Sequence, residues 1–364
     1  MYKMVDADAT PQTRALLANL YRLRHDHLLF GHQDSLAYGV EWIGGDNRSD
    51  PKAVTGSHAA VIGWDVGGLE LGNAHNLDGV DFGDMQHWIR QAYLGGGVVT
   101  ISWHMADPVS GGSSWNKGKF VHRLIPGGDL HETLKSYLDT FAAFNEQLKV
   151  TVDGEEHYIP VIFRPWHEHT GDWFWWGKGN AREEDYIALW RFTVEYLRDV
   201  KHAHNLIYAY SPDRSRIDLD DFESGYLYSY PGDDYVDVFG LDNYHDLRYP
   251  ADAGQREQFA RSLQYLVELA NRHNKLPAMT EGGQETVPDD EFWTGHLLAG
   301  ILANGTTRQI AYAMVWRNAN KARENKDHFY AAYPGHPSAA DFVKFYKHPS
   351  VLFQDKLPDM YQAR

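Results

Sequence analysis

The sequence predicts an α/β fold in which eight parallel strands alternate with helices and close into a (β/α)8 TIM barrel. Near-continuous apolar runs of strand length recur along the chain with helical segments between them, which is typical of parallel strands buried on both faces. An open doubly wound sheet would be expected to carry a phosphate loop or a dinucleotide fingerprint, and the glycine-rich stretches at 67–72 and 95–97 have the spacing of neither. We therefore expect a single (β/α)8 domain over residues 1–364.

The predicted elements follow one another in strict alternation. The strands span residues 27–34, 59–67, 97–104, 159–168, 205–213, 236–245, 276–283 and 309–318. Helical spacing covers residues 10–25, 81–96, 129–148, 181–204, 255–273 and 290–305. Thr10 is the predicted N-cap of the first helix, with Pro11 just inside it, and Gly305 is the predicted end of the last.

Composition narrows the range of partners. A net charge of −16 repels phosphate backbones and anionic lipid, so nucleic acid is not expected as a partner. No apolar run approaches the roughly 20 residues of a membrane span, and the N-terminus lacks the pattern of an export signal. The absence of cysteine rules out disulfides and thiolate metal sites. We expect a monomer. We also expect the sequence to be the mature form of a secreted, periplasmic or cell-surface protein.

Chemistry in barrels of this kind lies at the carboxyl ends of the strands, where the loops converge. Two of the eight predicted strands end in glutamate, the fourth at Glu168 and the seventh at Glu281, on opposite sides of the ring. Carboxyl groups facing each other across such an opening could approach to about 5 Å, the separation that retaining glycosidases use. A single glutamate at a strand end is usually only solvated, so the pair needs support from its surroundings.

Aromatic residues supply that support. Twelve tryptophans and 22 tyrosines are an excess for this length. Many of them fall at strand ends or in the loops just beyond: Trp103, Trp115, Trp166, Trp173, Trp175, Trp176, Tyr244 and Trp316. Sugar rings stack on such side chains, so an aromatic, acidic cleft fits a neutral polysaccharide. We expect a third to a half of these rings to belong to the core instead.

Five segments resemble glycoside hydrolase family 26, the β-mannanases within the large clan of (β/α)8 glycosidases. They are "FRPWHEHTGDWFWWG" (163–177), "TEGG" (280–283), "GLDNY" (240–244), "SWH" (102–104) and "VWRN" (315–318). The tail at 328–342 is similar to that family's last loop and helix, so the resemblance covers the whole chain and implies no appended binding module. It implies retaining hydrolysis of β-1,4-mannosidic linkages in mannan, glucomannan or galactomannan, or in manno-oligosaccharides, without a cofactor.

The resemblance implies roles for individual residues. Glu168 matches the general acid/base and Glu281 the nucleophile, while Arg164 and Asp242 match groups that orient them. The implied substrate-binding residues are His104, Trp115, His167, Trp173, Tyr244, Trp316 and Arg317. Among these, Trp173 matches the platform on the leaving-group side and Trp115 an aromatic on the glycone side. The other rings after Glu168 are expected to hold their loop in place.

Three other interpretations compete with this one. His167 and His169 could bind a metal with His104, although the helical H-E-x-x-H pattern is absent. A sugar-binding barrel that has lost catalysis would keep the tryptophans but lose a glutamate. Another β-glycan, such as mixed-linkage β-glucan or β-1,3-xylan, could replace mannan on the same fold.

Loop lengths bear on whether cleavage is internal or releases mannobiose from a chain end. The segments 35–58 and 105–129 are long enough to close the glycone end of a cleft. Asp46, Arg48 or Lys117 could contact a chain terminus there, or these segments could be ordinary solvated loops. The sequence leaves both modes of cleavage open.

Overall fold

The computed structural model describes residues 2–362. The eight predicted strands are present, all parallel to their barrel neighbours, and the last pairs with the first, so the barrel is closed and the prediction is confirmed. We number them β1 (Leu28–Gln33), β2 (Val61–Asp65), β3 (Val98–Ser102), β4 (Val161–Arg164), β5 (Leu206–Tyr210), β6 (Val238–Asn243), β7 (Leu276–Gly282) and β8 (Tyr312–Val315).

Alternation along each strand separates two apolar layers. In β4, Ile162 joins the cluster inside the barrel, whereas Val161 and Phe163 join the layer between strands and helices. Because side chains alternate with period two, Arg164 points inward on the same side as Ile162, toward the carboxyl end of the barrel. The charged side chain of Arg164 therefore lies at the end of the barrel where the active site is predicted.

Helices cover the outside of the barrel; the six predicted helical segments lie close to their predicted positions, and the shorter helices and the helix at Ala339–Lys347 were not among them. Their bounds are Pro11–Leu23, Asp50–Thr55, Phe82–Leu94, Val121–Leu124, His131–Glu146, Glu183–Glu195, Phe222–Tyr226, Ala253–His273, Ala299–Ile301, Lys321–Glu324 and Ala339–Lys347, with π-helical turns at Tyr196–Val200 and Phe292–Leu298. Thr10 caps the first helix by accepting a hydrogen bond from the backbone N–H of Thr13, as predicted. No helix within residues 2–362 is long and apolar enough to cross a bilayer.

The helix predicted to end at Gly305 ends earlier, at Ile301. The Asn304 side chain accepts hydrogen bonds from the N–H groups of Thr306 and Thr307, at 2.8 and 3.0 Å. Asparagine side chains that bond to nearby backbone in this way compete with helix formation. The local turn therefore stops the helix before the glycine is reached.

Three short strand pairings were not predicted. Tyr38–Gly39 pairs with Trp42–Ile43, Lys149–Val152 pairs with Glu155–Tyr158, and Val351–Leu352 pairs beside the start of β1. The predicted fourth strand is also shorter than its apolar run, since β4 ends at Arg164. Proline follows at position 165 and cannot donate a ladder hydrogen bond, so the chain leaves the sheet there.

Candidate active site

The carboxyl ends of the strands open into a cavity of about 460 Å³, which we call the cleft. Both predicted catalytic glutamates line it, although they are far apart in the sequence. Six of the predicted substrate-binding residues line it as well: His104, Trp115, Trp173, Tyr244, Trp316 and Arg317.

Glu281 is held by hydrogen bonds on both carboxylate oxygens. The buried guanidinium of Arg164 donates one bond to Glu281, and the Tyr244 hydroxyl donates another at 2.8 Å. Arg164 also donates to Asp242 at 2.6 Å, and the Thr280 hydroxyl donates to the other oxygen of Asp242 at 2.7 Å. Burial alone would lower the pKa of Arg164, but Asp242 and Glu281 outweigh it and raise that pKa, so the cation persists. This arrangement fixes the orientation of the Glu281 carboxylate.

Glu168 has different surroundings, because it lies in the loop beyond β4. The backbone reaches it through left-handed conformations at Trp166 and at Glu168 itself, with φ of 52° and 54°. Its carboxylate accepts one hydrogen bond, from the indole N–H of Trp173 at 2.8 Å. Burial and the negative charges of Glu281 and Asp242 raise the pKa of Glu168 well above its usual value. A carboxyl group in this position is equipped to carry a proton.

Strained backbone next to a reactive side chain is common at functional sites, since it persists only when the surrounding structure holds it. Here the backbone N–H of Glu168 donates to the carbonyl of Ser211 at 2.8 Å, which ties the turn to the end of β5. The same turn directs the neighbouring residue away from the cleft.

That neighbour is His167, which the sequence suggested as a substrate contact. The structure places it beneath the cleft: it is buried, and its ring centroid lies 4.6 Å from that of His104. Neither of its ring nitrogens has a hydrogen-bond partner among residues 2–362. Burial lowers the pKa of His167, so the ring is neutral. It supports His104 by packing and does not line the cleft.

His104 lines the cleft between two indoles. Its ring stacks on Trp115 with centroids 5.4 Å apart and meets Trp316 edge-on at 6.1 Å. The Nδ1 atom lies 2.7 Å from a carboxylate oxygen of Asp65, at the end of β2. Burial alone would lower the pKa of His104, but the charge and hydrogen bond of Asp65 raise it overall. Asp65 thus orients the imidazole by accepting a hydrogen bond from its Nδ1–H.

Arg317, at the end of β8, is held by two carboxylates. Its Nε atom lies 2.9 Å from Asp78, and its Nη1 atom lies 2.7 Å from Glu324. Asp78 itself lines the cleft but belongs to no sequence motif, so sequence analysis did not identify it. The pairing joins the loops after β2 and β8 on one wall of the cleft.

Several predicted aromatic residues prove to be structural. Trp103, Trp166, Trp175 and Trp176 are almost fully buried. Each indole N–H donates within the protein, to the carboxylate of Glu70, the hydroxyl of Thr193, and the backbone carbonyls of Met105 and His167, respectively. The expectation that a third to a half of the rings belong to the core is met, and the loop after Glu168 is held by these rings.

The metal-binding interpretation does not fit the geometry. His169 bonds through Nε2 to the hydroxyl of Tyr210 and the carbonyl of Tyr228, both at 2.9 Å, and so faces away from the cleft. Donor atoms of His167, Asp242 and Glu281 do lie within 4.8 Å of one another. Arg164, however, donates to both of those carboxylates, so its cation already occupies the position of a bound metal ion.

The three residues suggested as contacts for a chain terminus are engaged elsewhere. Asp46 bonds to His87 at 2.9 Å, the Arg48 guanidinium lies 4.8 Å from the Trp42 ring centroid, and Lys117 pairs with Asp172 at 3.1 Å. The cleft wall is built instead by residues outside the two long loops, apart from Trp115. The lining residues that were not predicted as site residues are Leu77, Asp78, Phe174, Asp213, Lys326 and His328.

Comparisons with known proteins identify the family to which the chain belongs. Residues 5–334 match the family model described as glycosyl hydrolase family 26. A mannan endo-1,4-β-mannosidase of Bifidobacterium adolescentis is 32% identical over 355 residues, which cover 93% of this chain and 34% of that protein. A mannan endo-1,4-β-mannosidase of Bacillus subtilis is 32% identical over 215 residues, covering 54% of each. The matches thus span about a third to a half of these curated relatives.

Solved structures are similar over most of their length. A family 26 β-mannanase of Bacteroides ovatus is 40% identical, with a TM-score of 0.88 over 97% of this chain and 98% of that one. A modular endo-β-1,4-mannanase of Cellulomonas fimi is 33% identical, with a TM-score of 0.88 over 99% of this chain and 79% of that one.

Proposed function

The chain belongs to glycosyl hydrolase family 26, and on that premise we propose that it hydrolyses β-1,4-mannosidic linkages with retention of anomeric configuration. The observation that carries the proposal is the pair Glu168 and Glu281, which line one cleft in contrasting electrostatic surroundings. Relatives named as mannan endo-1,4-β-mannosidases support mannan, glucomannan, galactomannan or manno-oligosaccharides as substrates.

In the first step, the carboxylate of Glu281 attacks the anomeric carbon while the carboxyl of Glu168 protonates the departing glycosidic oxygen. Arg164 and Tyr244 hold the nucleophile in place through their hydrogen bonds to its two oxygens. Trp173, which bonds to Glu168, offers its ring to the sugar that leaves.

In the second step, water attacks the glycosyl-enzyme ester. Formation of the ester removes the negative charge of Glu281, which is one cause of the raised pKa of Glu168. The pKa of Glu168 therefore falls, and its carboxylate can accept a proton from the attacking water. Two inversions at the anomeric carbon retain its configuration.

The remaining lining suits a neutral sugar. Trp115 and Trp316 flank His104 and provide apolar faces, and Arg317 provides donors held by Asp78. We assign these residues to the glycone side of the scissile bond. We propose that a single chain is active, since its cleft contains both proposed catalytic glutamates and the groups that hold Glu281. A polysaccharide substrate is met outside the cytoplasm, which supports a secreted, periplasmic or cell-surface enzyme.

Reducing-end release from linear β-1,4-mannan tests the proposal, with mixed-linkage β-glucan and β-1,3-xylan as competing substrates. We expect mannan to be hydrolysed with the highest kcat/KM, and proton NMR to show the β-anomer of the new reducing end first. Preference for another glycan would overturn the substrate, and initial release of the α-anomer would overturn the mechanism. A product time course on mannohexaose then distinguishes internal cleavage from release of mannobiose alone.

A further inference from the structure

A second cavity opens beside the cleft, between the loops that follow β6, β7 and β8. It has a volume of about 440 Å³ and is lined in part by Tyr244, Arg248, Tyr249, Glu285 and Tyr330. We call it the side pocket. Tyr244, whose hydroxyl bonds to Glu281, lines both the side pocket and the cleft. The volume lies within the range of about 300–1,000 Å³ that is usual for small-molecule sites.

An exposed aromatic ring marks the side pocket. Among the large apolar side chains that are exposed within residues 2–362, two are aromatic: Trp115, 50% exposed, and Tyr249, 55% exposed. Trp115 borders the cleft and Tyr249 borders the side pocket. Aromatic faces left open to solvent beside polar groups are suited to stacking on the C–H face of a sugar.

The other lining groups can hydrogen-bond to hydroxyls. The Arg248 guanidinium donates to the carbonyl of His245 at 3.2 Å, which holds the side chain at the rim. One carboxylate oxygen of Glu285 lies 2.7 Å from Nδ1 of His328. The Tyr330 ring is fixed against Tyr244 at 5.5 Å between centroids. The side pocket thus offers both hydrogen-bond donors and hydrogen-bond acceptors, as the hydroxyls of a neutral polyol require.

The position of the side pocket indicates what kind of sugar enters it. Trp115 and Trp173 lie in the loops after β3 and β4, whereas the side pocket lies across the barrel, in the loops after β6 to β8. A mannan backbone that stacks on the two tryptophans therefore runs through the cleft, and the side pocket opens beside it at Tyr244. A unit in the side pocket must project sideways from that backbone, beside the nucleophile.

From this placement we infer that the side pocket binds a single neutral pyranose branch of the mannan backbone, with Tyr249 as its stacking platform. The inference rests on the proposed function, because the branch is carried by the substrate that the cleft holds. It assigns galactose-substituted mannan, in preference to unsubstituted mannan, as the substrate for which this wall is built.

Paired kinetics of Tyr249→Ala test the inference, with linear mannohexaose and a manno-oligosaccharide of the same backbone length carrying single galactose branches. For the variant, kcat/KM on the branched substrate should fall about 5- to 10-fold, the loss expected for one aromatic contact. On mannohexaose kcat/KM should stay within about twofold of the wild type, because a linear chain leaves the side pocket empty. Tyr249→Phe keeps the ring and should behave as the wild type on both.

Each contrary result has a distinct meaning. Equal losses of kcat/KM on the two substrates would show that Tyr249 contacts the mannan backbone or supports the fold. No loss on either substrate would show that the side pocket is not used. Either result overturns the inference. Loss in Tyr249→Phe as large as in Tyr249→Ala would overturn stacking as the mode of binding. A wild-type enzyme inactive on both substrates would instead refute the proposed function.

A matched control comes from the opposite end of the barrel. Tyr158 lies on the hairpin that precedes β4, where its hydroxyl bonds to Glu146 at 2.8 Å. Tyr158→Ala removes the same side chain far from both cavities. It should leave the ratio of the two kcat/KM values unchanged, and a shift in that ratio would count against assigning the effect to the side pocket.

Discussion

The two glutamates of the cleft differ in how the fold holds them. Glu281 lies within β7, in register with Asp242 of β6, and has hydrogen-bond donors on both carboxylate oxygens. Glu168 lies in a loop beyond β4, on a strained turn, and accepts one hydrogen bond from an indole. The proposed nucleophile is thus fixed by the sheet, whereas the proposed acid/base is placed where burial and neighbouring charge raise its pKa.

Replacing Glu281 should have the largest effect on kcat. Glu281→Ala removes the proposed nucleophile, so kcat should fall by about 10⁴-fold or more on mannan and on activated aryl mannosides alike. Steady-state kinetics on both substrate types measure this. Activity on the aryl substrate close to that of wild type would show that Glu281 is not the nucleophile.

Replacing Glu168 should lower kcat by an amount that depends on the leaving group of the substrate. Glu168→Ala should lower kcat on mannan by about 10²- to 10⁴-fold, the usual contribution of a general acid. The first step on a dinitrophenyl mannoside should be nearly unaffected, since that leaving group needs no proton. A pre-steady-state burst of dinitrophenol would reveal it, and equal loss with both leaving groups would contradict the assignment.

The network around Glu281 should be important for stability as well. Arg164→Met leaves two buried carboxylates without their shared cation, so the free energy of unfolding should fall by about 3–5 kcal/mol. Chemical denaturation measures the change. Arg123→Met is the control, because it breaks an exposed ion pair with Asp129 and should leave the midpoint almost unchanged. Similar losses of unfolding free energy in Arg164→Met and Arg123→Met would show that the buried network contributes no more to stability than an exposed ion pair.

A smaller effect is expected from removing one donor. Tyr244→Phe deletes the hydroxyl that bonds to Glu281 and should lower kcat about 10- to 100-fold, the worth of a hydrogen bond to a charged group. Tyr312→Phe is the control, since that hydroxyl is buried inside the barrel without a partner among residues 2–362. An unchanged kcat in Tyr244→Phe would remove this tyrosine from the mechanism.

The smallest effect is a shift in pH dependence. Burial raises the pKa of Glu168. The Trp173 indole N–H donates a hydrogen bond to the Glu168 carboxylate and partly offsets that rise. Trp173→Phe should raise that pKa further, because the charged form loses its donor. Activity requires protonated Glu168, so the alkaline limb of the kcat/KM profile should move to higher pH, by up to about one unit. A limb that moves to lower pH would contradict this sign.

Much of the fold followed from the sequence because strand and helix signals are local. Eight apolar runs with alternating helical segments predicted the closed barrel, and the polar residues at the ends of those runs predicted where its chemistry lies. Proline at 165 and the left-handed turn at Glu168 shortened β4, which an apolar run alone does not reveal. Likewise, the strand pairings outside the barrel carry no strong apolar pattern and were missed.

The sequence by itself determined the barrel, the pair of glutamates in or just beyond two opposite strands and the aromatic character of the cleft, since each depends on residue types at short spacing. Only the tertiary structure decided that Arg164 bridges Glu281 and Asp242, that His167 lies beneath the cleft, and which loops meet to form its walls. Those contacts join residues far apart in the chain. Their geometry depends on how strands close into a ring and on the direction in which each loop leaves it, which no local pattern encodes.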